Sequence, residues 1–298
     1  MSGAADLLAL YWTVSGPVEV HVGREWSLFD LRDRCEHAAR AGFSGTGIWH
    51  ADLEHVLETR SLGEVNQLLD DNGMRYLELE FLMDWFLDPA DERRRVSDEI
   101  RKLLFEAAAA LDAHHVKVGN IPGTPCGLQE LTERYAELCA EAAEQHDAKV
   151  VYEFMPLDVN VHDLDTALAL VEGAGAANGG LALDTWHLGK LGIEPDDLRR
   201  IPPRHLGWVE LSDGRYESRP DLVDETVNHR RLPGEGEFPI RSYVAVCRAV
   251  GYDGPWGVEV LSEELRNLPI DQIFDRAYET SMAALAAEPE RSVDAARQ

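Results

Sequence analysis

Eight short β-rich runs recur along the chain, each separated from the next by a helix-like stretch, and this alternation constrains the fold more than any other feature. The runs are LLALYW (7–12), TGIWH (46–50), RYLELEFL (75–82), HHVKVG (114–119), KVVYEF (149–154), GLALDTW (180–186), HLGWVEL (205–211) and WGVEV (256–260). Small or polar breakers precede them, among them AGFSG, DNG, LDA, QHDA, NGG and GYDGP. Segments such as LFDLRDRCEHAARA and DERRRVSDEIRKLLFEAAAALDA place apolar residues at i, i+3 and i+4, the spacing of an amphipathic helix. Short apolar runs bounded by turn residues suit parallel strands covered on both faces. Strand and helix alternating eight times predict an α/β chain, a closed (β/α)8 barrel forming a single domain over residues 1–288. A doubly wound open sheet is the competing arrangement, but no Gly-rich phosphate fingerprint follows the first strand. Residues 289–298, PERSVDAARQ, read as a disordered tail.

In a parallel barrel the C-terminal strand ends carry the chemistry. Four of the runs here finish in an acid: Glu153, Asp184, Glu210 and Glu259. A lone acid at such a position is explained by a rim ion pair or a helix cap. Four acids converging on one mouth repel unless a cation sits among them. An oxygen-rich set of this kind suits a hard divalent ion, Mn2+ foremost, with Mg2+ or Co2+ as alternatives. His187 follows Asp184 by three residues, a spacing that places a neutral ring nitrogen near substrate or a metal-bound water. His50 and Glu80 end the second and third runs and Lys117 lies in the fourth; these read as substrate contacts or as a rim ion pair. Trp12, Trp49 and Trp186 offer flat walls to a sugar face, or fill core. In the long stretch after the seventh run, Arg231 precedes Pro-Gly-Glu-Gly and could clamp a substrate oxygen or pin the loop. His229 and Arg230 beside it are lesser candidates. His114-His115 starts a strand, on the structural face, and is discounted.

Composition narrows the partners. Against 55 Asp and Glu the chain has 28 Lys and Arg, a formal charge of −27, which disfavours nucleic acid and anionic membrane. No apolar run is long enough to span a bilayer, and the N-terminus lacks the basic start of a signal peptide. Four widely spaced cysteines, with no CxxC, suit free thiols in the cytoplasm. No GxSxG or HExxH motif is present.

At YEFMP (Glu153), LDTWH (Asp184, His187), RLPGEG (from Arg231) and GPWGVEV (Glu259) the chain resembles the xylose isomerase-like sugar phosphate isomerase/epimerase superfamily of metal-dependent TIM barrels, over residues 5 to 285. The resemblance implies that Glu153, Asp184 and Glu259 are metal ligands, that His187 lies next to the substrate, and that Arg231 faces it. Relatives commonly end the seventh strand in a His ligand; here VELSDG puts Glu210 at that position. An all-carboxylate shell would favour Mn2+ or Mg2+ over Zn2+, and Glu210 is either a fourth ligand or a base held off the metal. The implied activity is isomerisation or epimerisation of a sugar, keto-sugar or polyol. Glu153 and Glu259 would move the proton through a metal-stabilised enediolate. A dehydratase or lyase of the inosose, 3-dehydroshikimate or 3-keto-glycoside type is the alternative on the same site. An endonuclease IV-like role fits poorly with the acidic charge and the scarcity of metal-binding histidines, and a non-catalytic sugar-binding barrel would hold no metal. The resemblance leaves open a homo-oligomer, with no apolar stripe to mark its interface.

Overall fold

The computed structural model of the protein describes residues 5–18, 20, 24–121 and 123–286, with the side chains of 145 and 146 left aside. The tail expected at 289–298 lies outside the described residues. Eight parallel strands close into a barrel in chain order: β1 (Leu7–Ala9), β2 (Gly45–Trp49), β3 (Tyr76–Leu82), β4 (His115–Val118), β5 (Val150–Glu153), β6 (Gly179–Asp184), β7 (Leu206–Leu211) and β8 (Trp256–Val258), with β8 pairing back onto β1. Each strand begins and ends within, or one residue from, the β-rich run that the sequence marks. The chain is a TIM barrel.

Helices cover the outside, and their limits follow from local chemistry. Asp30, Ser61, Asp91 and Asp163 each accept a hydrogen bond from a first-turn backbone N–H, satisfying donors that the helix itself leaves unpaired. Gly42, at φ 111°, ends Leu31–Ala41 in the left-handed conformation that a side chain disfavours. The long connection expected after the seventh strand is partly helical, over Leu222–Asn228, and the one after β1 opens with the short helix Tyr11–Val14. Among the described residues no helix is long and apolar enough to cross a membrane, and all four cysteines are free thiols.

The main apolar core lies between barrel and helices. Inside the barrel, the alternation of strand side chains sorts residues into layers. Leu8, Leu10, Val151, Ala182 and Trp208 fill the lower interior. Val151, Ala182 and Trp208 each stand two residues before an acid, so Glu153, Asp184 and Glu210 point inward one layer higher. At the top, Tyr11, Trp12, Val18, Trp49, Phe81, Met155 and Leu261 form a second apolar cluster around the mouth. The carboxylates therefore lie between two apolar layers, which screens them from water. Gly257 makes the lower layer fit: a Cβ there would sit 2.7 Å from Leu10 Cδ1 and 2.8 Å from Trp208 Cζ2.

Candidate metal centre at the barrel mouth

Glu153 closes β5, Asp184 closes β6, Glu210 lies near the end of β7 and Glu259 directly follows β8. All four are buried, and each offers one oxygen within 4.8 Å of the others'. A second acidic set shares Glu259 with them, since Glu78 and Glu80 on β3 come equally close to it.

Two permanent cations serve these six carboxyls among the described residues. Lys117 on β4 places Nζ 2.7 Å from Glu210 Oε1, 2.8 Å from Glu259 Oε1 and 3.1 Å from Glu80 Oε2. Arg230, from the segment after β7, puts Nη1 3.2 Å from Glu259 Oε2 and also donates to Asp184 Oδ2. Its own Nε donates to the Thr226 carbonyl oxygen at 3.0 Å, which fixes the guanidinium to the helix Leu222–Asn228. That helix is held in turn by Lys190, whose Nζ lies 2.5 Å from Glu225 Oε1. His187 Nε2 approaches Glu153 Oε1 at 3.4 Å and Asp184 Oδ2 at 3.6 Å.

Burial and these cations push the acids apart. Burial raises Glu153 to about 7 despite Lys117, and raises Glu80 and Glu210 well above the ordinary carboxylate range. Burial would raise Glu259 too, but Lys117 and Arg230 outweigh it and hold that carboxyl at about 2. Burial lowers His187 to about 4, so its ring is neutral near pH 7. One ammonium and one guanidinium thus cannot keep every acid ionised, and part of the cluster retains protons.

This donor set fits a hard divalent cation. Glu153 Oε1 and Glu210 Oε2 are buried with no hydrogen-bond partner, a costly state for a carboxylate that nothing coordinates. Above them lies a cavity of about 70 Å³ with Glu80, Glu153, His187, Thr226, Arg230 and Glu259 as its polar lining and Trp12, Trp49, Phe81, Met83, Met155 and Leu261 among its walls. Asp184, Glu210 and Lys117 do not line it and lie behind these groups.

Of the residues singled out from sequence, Glu153, Asp184, Glu210, Glu259, His187, Glu80, Lys117 and Trp12 gather here. Two do not. Arg231 is turned away, its Nη1 donating to the Glu235 carbonyl oxygen at 2.9 Å; the arginine that enters the mouth is its neighbour Arg230. The slip of one residue follows from the backbone, because Arg231 pairs through N and O with Asp213 in a short antiparallel bridge. His50 begins the helix His50–Leu57 instead of ending β2, packs on the Trp49 ring at 4.8 Å and does not line the cavity. His115, discounted at the start of a strand, is the first residue of β4 and belongs to neither acidic set. It is fully buried inside the barrel, with Nε2 2.7 Å from Glu78 Oε2. Trp208, not singled out, donates from Nε1 to Glu210 Oε1 at 2.8 Å. Both residues stand two places before a recognised site residue, the signal that would have found them.

Residues 35–287 match the family model of the xylose isomerase-like TIM barrel. The 3-dehydroshikimate dehydratase of Pseudomonas aeruginosa is 28% identical over 240 residues, 80% of this chain and 37% of that protein, so the chain spans less than two fifths of that relative's length. The inosose isomerase of Halalkalibacterium halodurans is 24% identical over 260 residues, covering 84% of this chain and 90% of the relative. Among solved structures, the IolI protein with a binding zinc atom superposes with a TM-score of 0.80 at 18% identity, over 94% of this chain and 98% of that one.

Proposed function

The chain belongs to the xylose isomerase-like TIM-barrel family, and from that premise we propose that it is a divalent-metal-dependent isomerase or epimerase acting on a sugar, keto-sugar or polyol. The observation that carries this reading is the convergence of Glu153, Asp184, Glu210 and Glu259 within 4.8 Å, beneath a cavity that Glu153 and Glu259 line. A hard divalent cation, Mn2+ foremost, would be held by these four carboxylates and would supply Lewis-acid polarisation of a substrate carbonyl.

The chain's own groups supply the rest. Glu153 and Glu259 enter the cavity floor from β5 and β8, strands three places apart around the barrel. One carboxylate removes the proton next to the carbonyl and the other returns it. Return to the opposite face inverts the centre, and return to the neighbouring carbon isomerises the sugar. Arg230 presents a guanidinium to a substrate oxygen, and His187 presents a neutral ring. Trp12 and Trp49, in edge contact at 4.9 Å, offer apolar walls to the carbon face of a ring and keep water from the transferred proton.

A second reading is dehydration, supported by the 28% identity to the Pseudomonas aeruginosa dehydratase. It begins with the same proton abstraction and ends with loss of a β-hydroxyl. NMR in D2O of Mn2+-loaded protein with ketoses, inososes, 3-keto-glycosides and dehydroshikimate separates the two. Deuterium incorporated at carbon without loss of water, and abolished by EDTA, is the outcome for an isomerase or epimerase. An alkene product is the outcome for a dehydratase. Absence of exchange in every substrate, with metal bound, would remove the proton-transfer reading.

A further inference from the structure

The buried acids of the barrel form two sets that share one member. Oxygens of Glu153, Asp184, Glu210 and Glu259 lie within 4.8 Å of one another, and so do oxygens of Glu78, Glu80 and Glu259. By donor chemistry either set could hold a hard divalent ion. The second set even has acceptors to spare, since Glu78 Oε1 and Glu80 Oε1 are buried without a hydrogen-bond partner.

Lys117 changes the outcome. Its Nζ stands 2.8 Å from Glu259 Oε1, 3.1 Å from Glu80 Oε2 and 3.6 Å from Glu78 Oε1, in contact with all three members of the second set, while Glu153 Oε2 of the first set lies farther off, at 3.9 Å. The side chain is 1% exposed and lies outside the lining of the cavity, so the ammonium does not reach substrate. The same nitrogen is 2.7 Å from Glu210 Oε1, which also accepts from Trp208 Nε1 at 2.8 Å. Both tethers fall on one oxygen of Glu210, and the other, Oε2, is left free for the first set.

We propose that Lys117 is a positioning residue whose ammonium occupies the Glu78–Glu80–Glu259 set as a fixed cation, limiting the barrel to one divalent ion, and that with Trp208 it orients Glu210 toward that ion. This rests on the metal-dependent reading above. Glutamate then serves on β7 because a lysine and an indole hold one of its oxygens and present the other.

Isothermal titration with Mn2+ and EPR of the loaded protein test this without any substrate. Wild type should bind one Mn2+ per chain with the spectrum of an isolated ion. Lys117→Met should bind two, with a spin-coupled spectrum because the sets share Glu259, and its Tm should rise on Mn2+ addition far more than wild type's. Trp208→Phe keeps an aromatic ring but loses the N–H and part of the buried indole; it should lower Tm and weaken Mn2+ binding about tenfold, whereas Trp85→Phe, the same truncation in the outer core, should lower Tm and leave Mn2+ affinity unchanged, a contrast that a purely structural role of Trp208 would not give. Two ions in wild type, or a folded Lys117→Met that binds one ion with unchanged affinity, would overturn the counter-ion role. Unchanged affinity in Trp208→Phe would overturn the orienting role, a test that stands even if Lys117→Met fails to fold. Wild type that binds no divalent ion would overturn the metal-dependent reading itself, a result distinct from either.

Discussion

Arg230 and Asp184, 46 residues apart in sequence, form a buried ion pair at the barrel mouth, Arg230 Nη1 donating to Asp184 Oδ2 at 2.5 Å. The same nitrogen reaches Glu259 Oε2 at 3.2 Å, so the guanidinium engages two of the four carboxylates assigned to the metal. It competes with a divalent ion for them and, among the described residues, is also the one arginine on the cavity lining.

Arg230→Met is therefore expected to act in opposite directions on two measurements. Mn2+ binding should tighten about tenfold, the equivalent of roughly 1.4 kcal/mol, because a competing cation is gone. Turnover, as kcat/KM, should fall on the order of a hundredfold with loss of a charged donor to substrate. Arg231→Met should leave both within about threefold, since that side chain only reaches the Glu235 carbonyl. Calorimetry and steady-state kinetics on the two variants decide the matter, and an Arg231 effect as large as that of Arg230 would reverse the assignment.

Glu153 makes the metal-free protein sensitive to pH. Burial, opposed by Lys117, raises its carboxyl from the ordinary 4.5 to about 7. Between those values the folded state binds more protons than the unfolded state, so stability falls as pH rises. The full contribution is present below pH 4.5 and is lost as pH passes 7, a change of about 3 kcal/mol. Urea unfolding in EDTA across this range should show the decline in wild type and its loss in Glu153→Gln. Metal binding needs the ionised form, so Mn2+ affinity should climb over the same interval with release of protons. Equal pH slopes in the two proteins would contradict the assignment.

The sequence made the strands legible because parallel strands are buried on both faces and read as short apolar runs. The strand-end acids were legible for the converse reason, as charges where apolar residues are expected. Period-two alternation would have carried the reading further: Trp208 precedes Glu210 by two and His115 precedes Lys117 by two, and both share the interior with those partners. The choice between Arg230 and Arg231 was not legible. It depends on the path of an irregular loop that has no period and is set by hydrogen bonds to an acid some twenty residues earlier.

That acid is Asp213, which gathers the loop onto itself. Oδ1 accepts from the backbone N–H of Gly214 at 2.7 Å and of Phe238 at 3.1 Å, and Oδ2 from Gly234 at 2.9 Å and Gly236 at 3.0 Å. Its backbone pairs with Arg231 in both directions. Asp213→Ala strips four N–H donors of their acceptor. The expected cost is about 3 kcal/mol of stability, read by urea unfolding. A drop in kcat/KM of at least about tenfold should accompany it, as Arg230 loses its placement. Full activity in a destabilised variant would show that the loop's staple and the arginine's position are independent.

A second buried pair lies outside the mouth and gives a contrasting expectation. Arg34 Nη2 donates to Asp52 Oδ2 at 2.5 Å, and both residues are almost fully buried, at 2% and 1% exposed. Asp52 Oδ1 also accepts from Ser27 N at 2.9 Å, which ties the segment after β1 to the helix His50–Leu57. Removing one partner leaves an uncompensated charge in the core, so Arg34→Met alone should cost about 3–5 kcal/mol. Arg34→Met with Asp52→Asn removes both charges, and much of that loss should return because the desolvation of two ions disappears together. Neither protein should change the number of Mn2+ ions bound, since neither residue belongs to the acidic sets. A double-mutant cycle by urea unfolding measures the coupling: additive losses from the two substitutions would mean that the ion pair contributes nothing and that shape alone holds the segment in place.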